Sequence, residues 1–303
     1  MISLKDSITS SKLHSFLMLL LCYNSFAINR IPDFETTRIK STGGAGVASV
    51  LMDESTTLNP APLAFFNVGS FYMQKSGADS TINDDSKSLS ESDTISFIAS
   101  DSQGSLNGSI SYIKQKHRFS ERQRWAASFS NPVGERSALG VGFRMTTDTL
   151  SEDGTSIQEE KYKQTIFGVT HALSESFTMG MVFVDPFRTK AEDTVAVLGF
   201  QYVFKSFISL MLDTGADYNN PLSETLLYRA ALQAKIFKDF YLRAGTFNDK
   251  GKASKGTGAG IGWVQPRLVI DFGIKNTDLL ENQRLAQTSE TIKETSFSLS
   301  YRF

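Results

Sequence analysis

Apolar and polar residues alternate one by one along much of the chain. From Thr295 to the end, Phe297, Leu299, Tyr301 and Phe303 are separated by Ser296, Ser298, Ser300 and Arg302. A period of two puts the first set on one face of a β-strand and the second on the other. Leu268, Ile270, Phe272 and Ile274 alternate in the same way with Val269, Asp271, Gly273 and Lys275. So do Tyr228, Ala230, Leu232 and Ala234 with Arg229, Ala231 and Gln233, and Leu139, Val141, Phe143 and Met145 with Gly140, Gly142 and Arg144. Trp125, Ala127 and Phe129 against Ala126 and Ser128 make a further example.

Such segments number about fourteen, within the even series of membrane barrels. Their predicted starts lie near Leu63, Asp93, Ser105, Arg124, Ala138, Tyr162, Phe177, Thr194, Phe207, Leu226, Phe240, Thr257, Leu268 and Glu294. The breaks between them take turns in length. Ser102 to Gly104, Leu173 to Ser176, Lys205-Ser206, Lys238-Asp239 and Gln265 to Arg267 are short. Ser76 to Ser92, Ser151 to Lys161, Ala216 to Thr225 and Asp278 to Lys293 are longer and polar. Tight turns at one end and long loops at the other are the asymmetry of outer-membrane barrels. An even strand count then brings both chain ends to the short-turn side.

Alternation alone does not say which face turns inward, since a soluble sandwich or a secreted barrel alternates too. Strand number, loop asymmetry, the N-terminal leader and the aromatic C-terminus together predict an all-β fold. It is a transmembrane antiparallel β-barrel of about fourteen strands with a short N-terminal plug segment. The polar face then lines the lumen, with Arg144, Arg229, Arg243, Asp271 and Lys275 as candidate lumen residues. Gly256, Gly258, Gly260 and Gly262 repeat at period two on that face, joined by Gly140, Gly142, Gly168, Gly180, Gly199, Gly245 and Gly273. Glycine weakens a strand, so such a stripe marks either close approach of a plug or ligand or relief of curvature in a closed sheet.

The first residues read as a secretory leader over 1–27. Lys5 and Lys12 give positive charge, Phe16 to Cys22 a short apolar core, and Ser25 and Ala27 the small positions before a cut ahead of Ile28. The apolar run is far shorter than the roughly 20 residues of a membrane-spanning helix. A lipoprotein acylated at Cys22 is disfavoured by Leu21, which stands where a small residue is expected. Cys22 is the only cysteine, so the mature chain has no disulfide, thiolate metal site or thiol nucleophile. The domain division expected is 1–27 leader, 28–62 plug and 63–303 barrel.

Between leader and barrel, Lys40 to Phe66 does not alternate. Gly43, Gly44, Ala45 and Gly46 begin a run of small residues, Asp53-Glu54 is an acidic break, and Asn59-Pro60 a turn signal before Leu63-Ala64. This stretch resembles the N-terminal hatch of FadL-type barrels, a superfamily that includes the long-chain fatty acid transporter, the aromatic-hydrocarbon channel and PorV-type barrels of a secretion system. The resemblance is specific over about 25 residues; beyond them it is one of strand number and architecture. It implies fourteen strands, a lumen plugged by the N-terminal segment and location in the outer membrane of a Gram-negative bacterium. It also implies passive transport of hydrophobic or amphipathic small molecules of the fatty-acid or hydrocarbon type. In that family an aromatic C-terminus, here Tyr301 and Phe303, is read by the barrel-insertion machinery. The alternative is a PorV-like docking barrel with a secreted or envelope protein as partner. The large apolar external loops of the fatty acid transporter are not matched here: Ser76 to Ser92 carries Asp79, Asp84, Asp85 and Glu91.

Charge balance, at −1 net, argues against nucleic acid as partner. The expected partners are outer-membrane lipid and a hydrophobic small-molecule ligand. No cofactor is implied. Gly44 to Ser49 superficially matches a dinucleotide loop but no strand precedes it, and Gly251-Lys252 lacks the rest of a phosphate loop. His117, expected in a loop, and His171, expected in a strand, show no metal-ligand spacing. No enzyme is read. Asp185-Pro186 is expected at a strand end.

Overall fold

The computed structural model describes residues 31–82, 90–117, 120–152, 155–282, 285 and 287–303. The leader and Cys22 lie outside the described residues. Fourteen antiparallel strands close into one barrel, each pairing with the next and the first with the last. They are β1 (Gly69–Ile82), β2 (Ser90–Asp101), β3 (Asn107–His117), β4 (Ser120–Pro132), β5 (Ser137–Glu152), β6 (Thr155–Ala172) and β7 (Phe177–Val184). Then come β8 (Val195–Phe204), β9 (Ile208–Ala216), β10 (Leu227–Lys235), β11 (Phe240–Asp249), β12 (Ser254–Val264), β13 (Leu268–Leu279) and β14 (Glu290–Arg302).

Closure sets Ser70 opposite Arg302 and runs to Ile82 opposite Glu290. The seam is finished by Phe303, whose N–H donates to the Gly69 carbonyl at 3.0 Å while the Gly69 N–H donates to its carbonyl at 2.9 Å. Both ends of the barrel strand series therefore lie at one rim. The turns at that rim are 102–106, 133–136, 173–176, 205–207, 236–239 and 265–267, all short.

The two faces are inverted relative to a soluble barrel. On β14, Ser296, Ser298 and Ser300 are buried while Phe297 and Tyr301 are about half exposed. Phe71, Phe97, Ile110, Trp125, Phe143 and Phe272 continue the exposed apolar girdle on other strands. A soluble monomer rarely exposes a contiguous apolar patch beyond a few hundred Å². A belt running round the whole wall is the surface of a body solvated by lipid. The alternation is thus resolved as apolar outside and polar inside.

Three sequence expectations change. The polar stretches 76–92 and 151–161 are largely strand, not loop: β1 continues to Ile82, β2 begins at Ser90, and β5 and β6 run to Glu152 and from Thr155. About nine to eleven residues suffice to cross the hydrocarbon layer. β6 has 18 residues and β5 has 16. Their outer ends stand clear of lipid, so no apolar residue is needed there and the alternation that marks a strand fades. The first strand starts at Gly69 rather than near Leu63. Ala61–Phe65 is a 3-10 helix with proline in its first turn, and Leu63 is fully buried. His117 ends β3 instead of lying in a loop. Asp185 does follow a strand end, with β7 stopping at Val184.

The wall is uneven in height. β7, β9 and β10 have only 8, 9 and 9 residues. At roughly 3.4 Å per residue β7 extends only ~27 Å along its length, so this sector stops near the lipid boundary while β5 and β6 rise past it. Loops 185–194 and 217–226 fold over the low sector, joined by the Tyr218 hydroxyl donating to the Pro186 carbonyl at 2.9 Å.

Candidate functional site

Residues 31–66 lie within the barrel, against the buried face of its wall. A short helix, α1 (Thr37–Ser41), is started by Thr36, whose side chain accepts from the Ile39 N–H. Gly43 and Gly44 follow with φ of +61° and +88°, a left-handed backbone that reverses the chain without the strain of a side chain. Ile39, Ala45, Val47, Met52 and Leu63 are almost wholly buried.

The glycine stripe meets this segment. A Cβ on Gly258 would stand 1.9 Å from the Lys40 carbonyl oxygen, and one on Gly245 would stand 2.1 Å from that of Thr42. On the opposite wall, a Cβ on Gly180 would stand 2.5 Å from the Val47 carbonyl oxygen and one on Gly140 would stand 2.6 Å from the Ala61 nitrogen. Gly260 and Gly273 face the Ser41 hydroxyl, and Gly168 faces Asn59. Gly256 and Gly262 differ: their space is filled by strand neighbours, Phe247 beside Gly256 and the Arg243–Asp271 pair beside Gly262. Of the two readings of the stripe, close approach of another segment accounts for most of its members.

Polar side chains of the wall then bind the segment. The Asp213 carboxylate accepts from the N–H of Gly46 at 2.9 Å and of Val47 at 3.2 Å. Arg229, directly opposite Asp213 in the β9–β10 register, donates to the Gly44 carbonyl at 3.1 Å. Lys275 holds Glu35 at 2.7 Å, and Glu294 holds Lys40 at 2.5 Å. Arg144 donates to the Thr57 carbonyl at 2.7 Å. Asn59 donates to the Val47 carbonyl at 2.8 Å and to the Thr170 hydroxyl at 3.0 Å, and its own oxygen accepts from the Ala61 N–H, so one side chain ties the turn at Pro60 to the wall. Arg243 and Asp271 pair with each other at 2.5 Å, and Arg38 of α1 reaches the same carboxylate at 3.7 Å.

The five charged residues singled out from sequence are therefore all engaged. Arg144, Arg229 and Lys275 hold the segment, while Arg243 and Asp271 hold each other beside it. Asp213, Glu35 and Glu294 escaped the sequence reading. Asp213 had a usable signal, an acid among Leu210, Met211 and Leu212 in a strand otherwise built for lipid and packing. His171 lies on the outer face near the short-turn rim, where its Nδ1 meets the Ser137 hydroxyl at 2.7 Å.

Charges on the segment feel this enclosure. Burial pushes the Asp33 carboxyl up, but Lys252, Arg124 and Arg122 outweigh it and hold it well below its usual range. At Glu54 burial wins: despite Arg38 and a hydrogen bond from Thr36, and with Asp53 adding repulsion, its carboxyl is pushed above the ordinary value. Burial would lower the Arg38 guanidinium, but Glu54, Asp271 and Asp53 raise it instead.

One part of the lumen is apolar. Val182 of β7 and Val197 of β8 join Ile166, Leu227 and Val47 in a buried cluster, flanked by Val184, Val195 and Leu58. A cavity runs along this wall between it and the segment, with Arg124, Arg144 and Arg229 also facing it.

No family model matches the chain, and no curated protein matches it by sequence. Solved structures do match in shape. The CymD monoaromatic hydrocarbon channel superposes with a TM-score of 0.70 at 11% identity, over 88% of this chain and 97% of that one. The Ralstonia pickettii toluene transporter TbuX gives 0.67 at 10% identity, over 89% and 99%. A Pseudomonas aeruginosa FadL homologue gives 0.58 at 13%, over 90% and 98%. At such identities the likeness is one of architecture, and on that ground the chain has the fold of the FadL/TodX-type barrels.

Proposed function

We propose that the chain is an outer-membrane barrel that passes hydrophobic or amphipathic small molecules passively, with residues 31–66 as the hatch in its lumen. The observation that carries this reading is the apolar wall of Val182, Val184, Val195 and Val197 facing the cavity. Val182 and Val197 pack on Val47 of the segment, while the partly buried Val184 and Val195 leave apolar surface on the cavity, which costs hydration and offers no ligand to polar solutes. The girdle of exposed aromatics sets the barrel in lipid, and the neighbours named for hydrocarbons share the architecture. Transport is downhill: the driving force is the substrate gradient, and the hatch contacts set the rate by how often they open.

The test is uptake by proteoliposomes. Radiolabelled toluene and octanol are offered to vesicles holding the mature chain or a form lacking 28–58. The expected result is uptake above protein-free vesicles, faster after the deletion. Uptake equal to protein-free vesicles in both forms overturns the reading, and stoichiometric co-purification of an envelope protein with an inactive barrel turns it toward docking.

A further inference from the structure

On the outer face of the tall wall the apolar belt stops at lysines. Tyr112 of β3 and Trp125 of β4 are direct partners there, with ring centroids 4.7 Å apart, and Met145 of β5 continues their row. Aromatic pairs of this kind mark the edge of the apolar band of a membrane barrel. The next outward residue on each strand is polar. Lys114, Gln123, Thr147 and Lys161 are successive partners across β3 to β6, so they form one unbroken row beyond the aromatics. Lys163 stands beside Met145 in the row below. It lies nine residues before Ala172, where β6 ends at the short-turn rim. At ~3.4 Å per residue and a strand tilt of about 40°, that is a height of ~23 Å, against about 25 Å for the apolar band. Lys163 is therefore at the level where acyl chains give way to head groups.

The lysines outnumber the acids around them. Glu121 bonds Lys114 at 2.9 Å and Glu159 bonds Lys161, while Lys163 is exposed and takes part in no salt bridge among the described residues. The low sector of the wall is different. Its outward residues near the upper ends of β7 to β11 are Phe183, Ala196, Thr214, Tyr228 and Asn248, none of them charged. A lysine at a lipid boundary lays its stem along apolar surface and lifts its ammonium to the head groups, where it is a ready partner for phosphate. Gln123 and Thr147 between the lysines offer neutral donors and acceptors, the partners that sugar hydroxyls and amides take. Lys114 and Lys161 are three strand spacings apart, or ~14 Å. That separation suits a disaccharide carrying a phosphate at each end.

We propose that the outer face of β3 to β6 binds the bisphosphorylated glycolipid of the outer leaflet, the lipid A part of lipopolysaccharide. One phosphate lies on Lys114 and the other on Lys161 and Lys163. The sugars rest on Gln123 and Thr147, and the acyl chains run down over Tyr112, Trp125 and Met145. The site needs only the outer-membrane location and nothing of the lumen, so it stands whether or not the barrel transports.

Native mass spectrometry of the full mature barrel in detergent, with lipid A and phosphatidylglycerol at equal concentration, reads the bound fraction of each. The wild type is expected to prefer lipid A about tenfold and to hold monophosphoryl lipid A more weakly than the bisphosphorylated form. Lys161→Gln combined with Lys163→Gln is expected to weaken lipid A binding about tenfold, the effect of two lysines near an anionic surface. Lys255→Gln, on the outer face of β12 across the barrel, is expected to leave it unchanged. The folded gel band of unboiled samples checks each variant, and the comparison of the two lipid A forms needs no variant at all. Equal binding of lipid A and phosphatidylglycerol overturns the glycolipid site in favour of any anionic lipid. Undiminished lipid A binding in the double variant overturns it, as does a loss in Lys255→Gln as large as in the double variant.

Discussion

Replacing Gly245 and Gly258 together by alanine should expel the hatch while leaving the barrel closed. The two residues are direct partners in the β11–β12 register. The new Cβ atoms would lie 2.1 and 1.9 Å from the carbonyl oxygens of Thr42 and Lys40. A carbon–oxygen contact relaxes at about 3.3 Å or more, so α1 and the turn after it have to retreat by more than about 1 Å. Overpacking of this kind costs about 1–3 kcal/mol per site, or about 2–6 for the pair. The hydrogen bonds that hold the turn, from Arg229 to Gly44 and from Gly46 and Val47 to Asp213, contribute about 1.5–3 kcal/mol each at most, because one partner is charged. The sums are comparable. The wall is locked by continuous ladders on both sides, so the segment gives way first. Two assays follow this: single-channel conductance in planar bilayers, and trypsin cleavage after Arg38 and Lys40 in the inserted protein. Conductance should rise and cleavage appear. Gly108→Ala is the control, since its Cβ would meet the Phe129 ring at 3.6 Å and the Ser128 carbonyl oxygen at 3.8 Å, both ordinary contacts. A double variant with the control's conductance and uncut Lys40 would refute the idea that the glycines exist to admit the segment.

Other perturbations separate wall, hatch and assembly. Asp271→Asn leaves the buried Arg243 and the nearby Arg38 without their shared carboxylate, and should cost about 3–5 kcal/mol, read as a lower temperature for loss of the folded gel band. Glu54 has a raised pKa in place, so its hatch binds more protons than the released form and is held more tightly as pH falls through the raised value towards the ordinary 4.5. Trypsin protection should therefore increase over that acid range in the wild type and stay flat there in Glu54→Gln; equal slopes would count against the assignment. Phe303→Ser keeps the backbone pair with Gly69 but removes the terminal aromatic. It should lower the amount of inserted barrel more than the uptake per inserted barrel, and equal membrane levels would contradict that.

Much of the fold was legible because a membrane strand obeys one simple rule. Wherever the wall meets lipid on one side and polar groups on the other, as in Phe297 to Phe303, the period of two is unbroken. Where that two-sided solvent contrast ends, the signal ends too, which is why the upper parts of β1, β5 and β6 read as loops. The glycines were visible but ambiguous, since relief of curvature and close approach both call for the absence of a side chain. Only the positions of Lys40, Thr42 and Val47 separate them. The charged residues on the lumen face were legible one at a time, but their partners were not. Lys275 and Glu35, or Asp213 and the amides of Gly46 and Val47, are far apart in sequence and meet only because the segment threads the barrel. Arg124 reads in sequence as one cation among several near the start of a strand. That its buried Nη2 has no hydrogen-bond partner among the described residues is a property of the packed lumen.

The sidedness of the wall underlies all of this, and β14 gives the most direct measurement. The only cysteine, Cys22, precedes the expected mature start, so single cysteines at 296 to 301 can each carry a nitroxide in reconstituted protein. Collision with oxygen, which concentrates in lipid, is compared with collision with a water-soluble nickel chelate. The predicted result is high oxygen access at 297, 299 and 301 and low access to both reagents at 296, 298 and 300, where the serines are buried. Oxygen access at the serine positions and nickel access at the aromatic ones would contradict an apolar exterior and, with it, the lumen, the hatch and the route proposed through them.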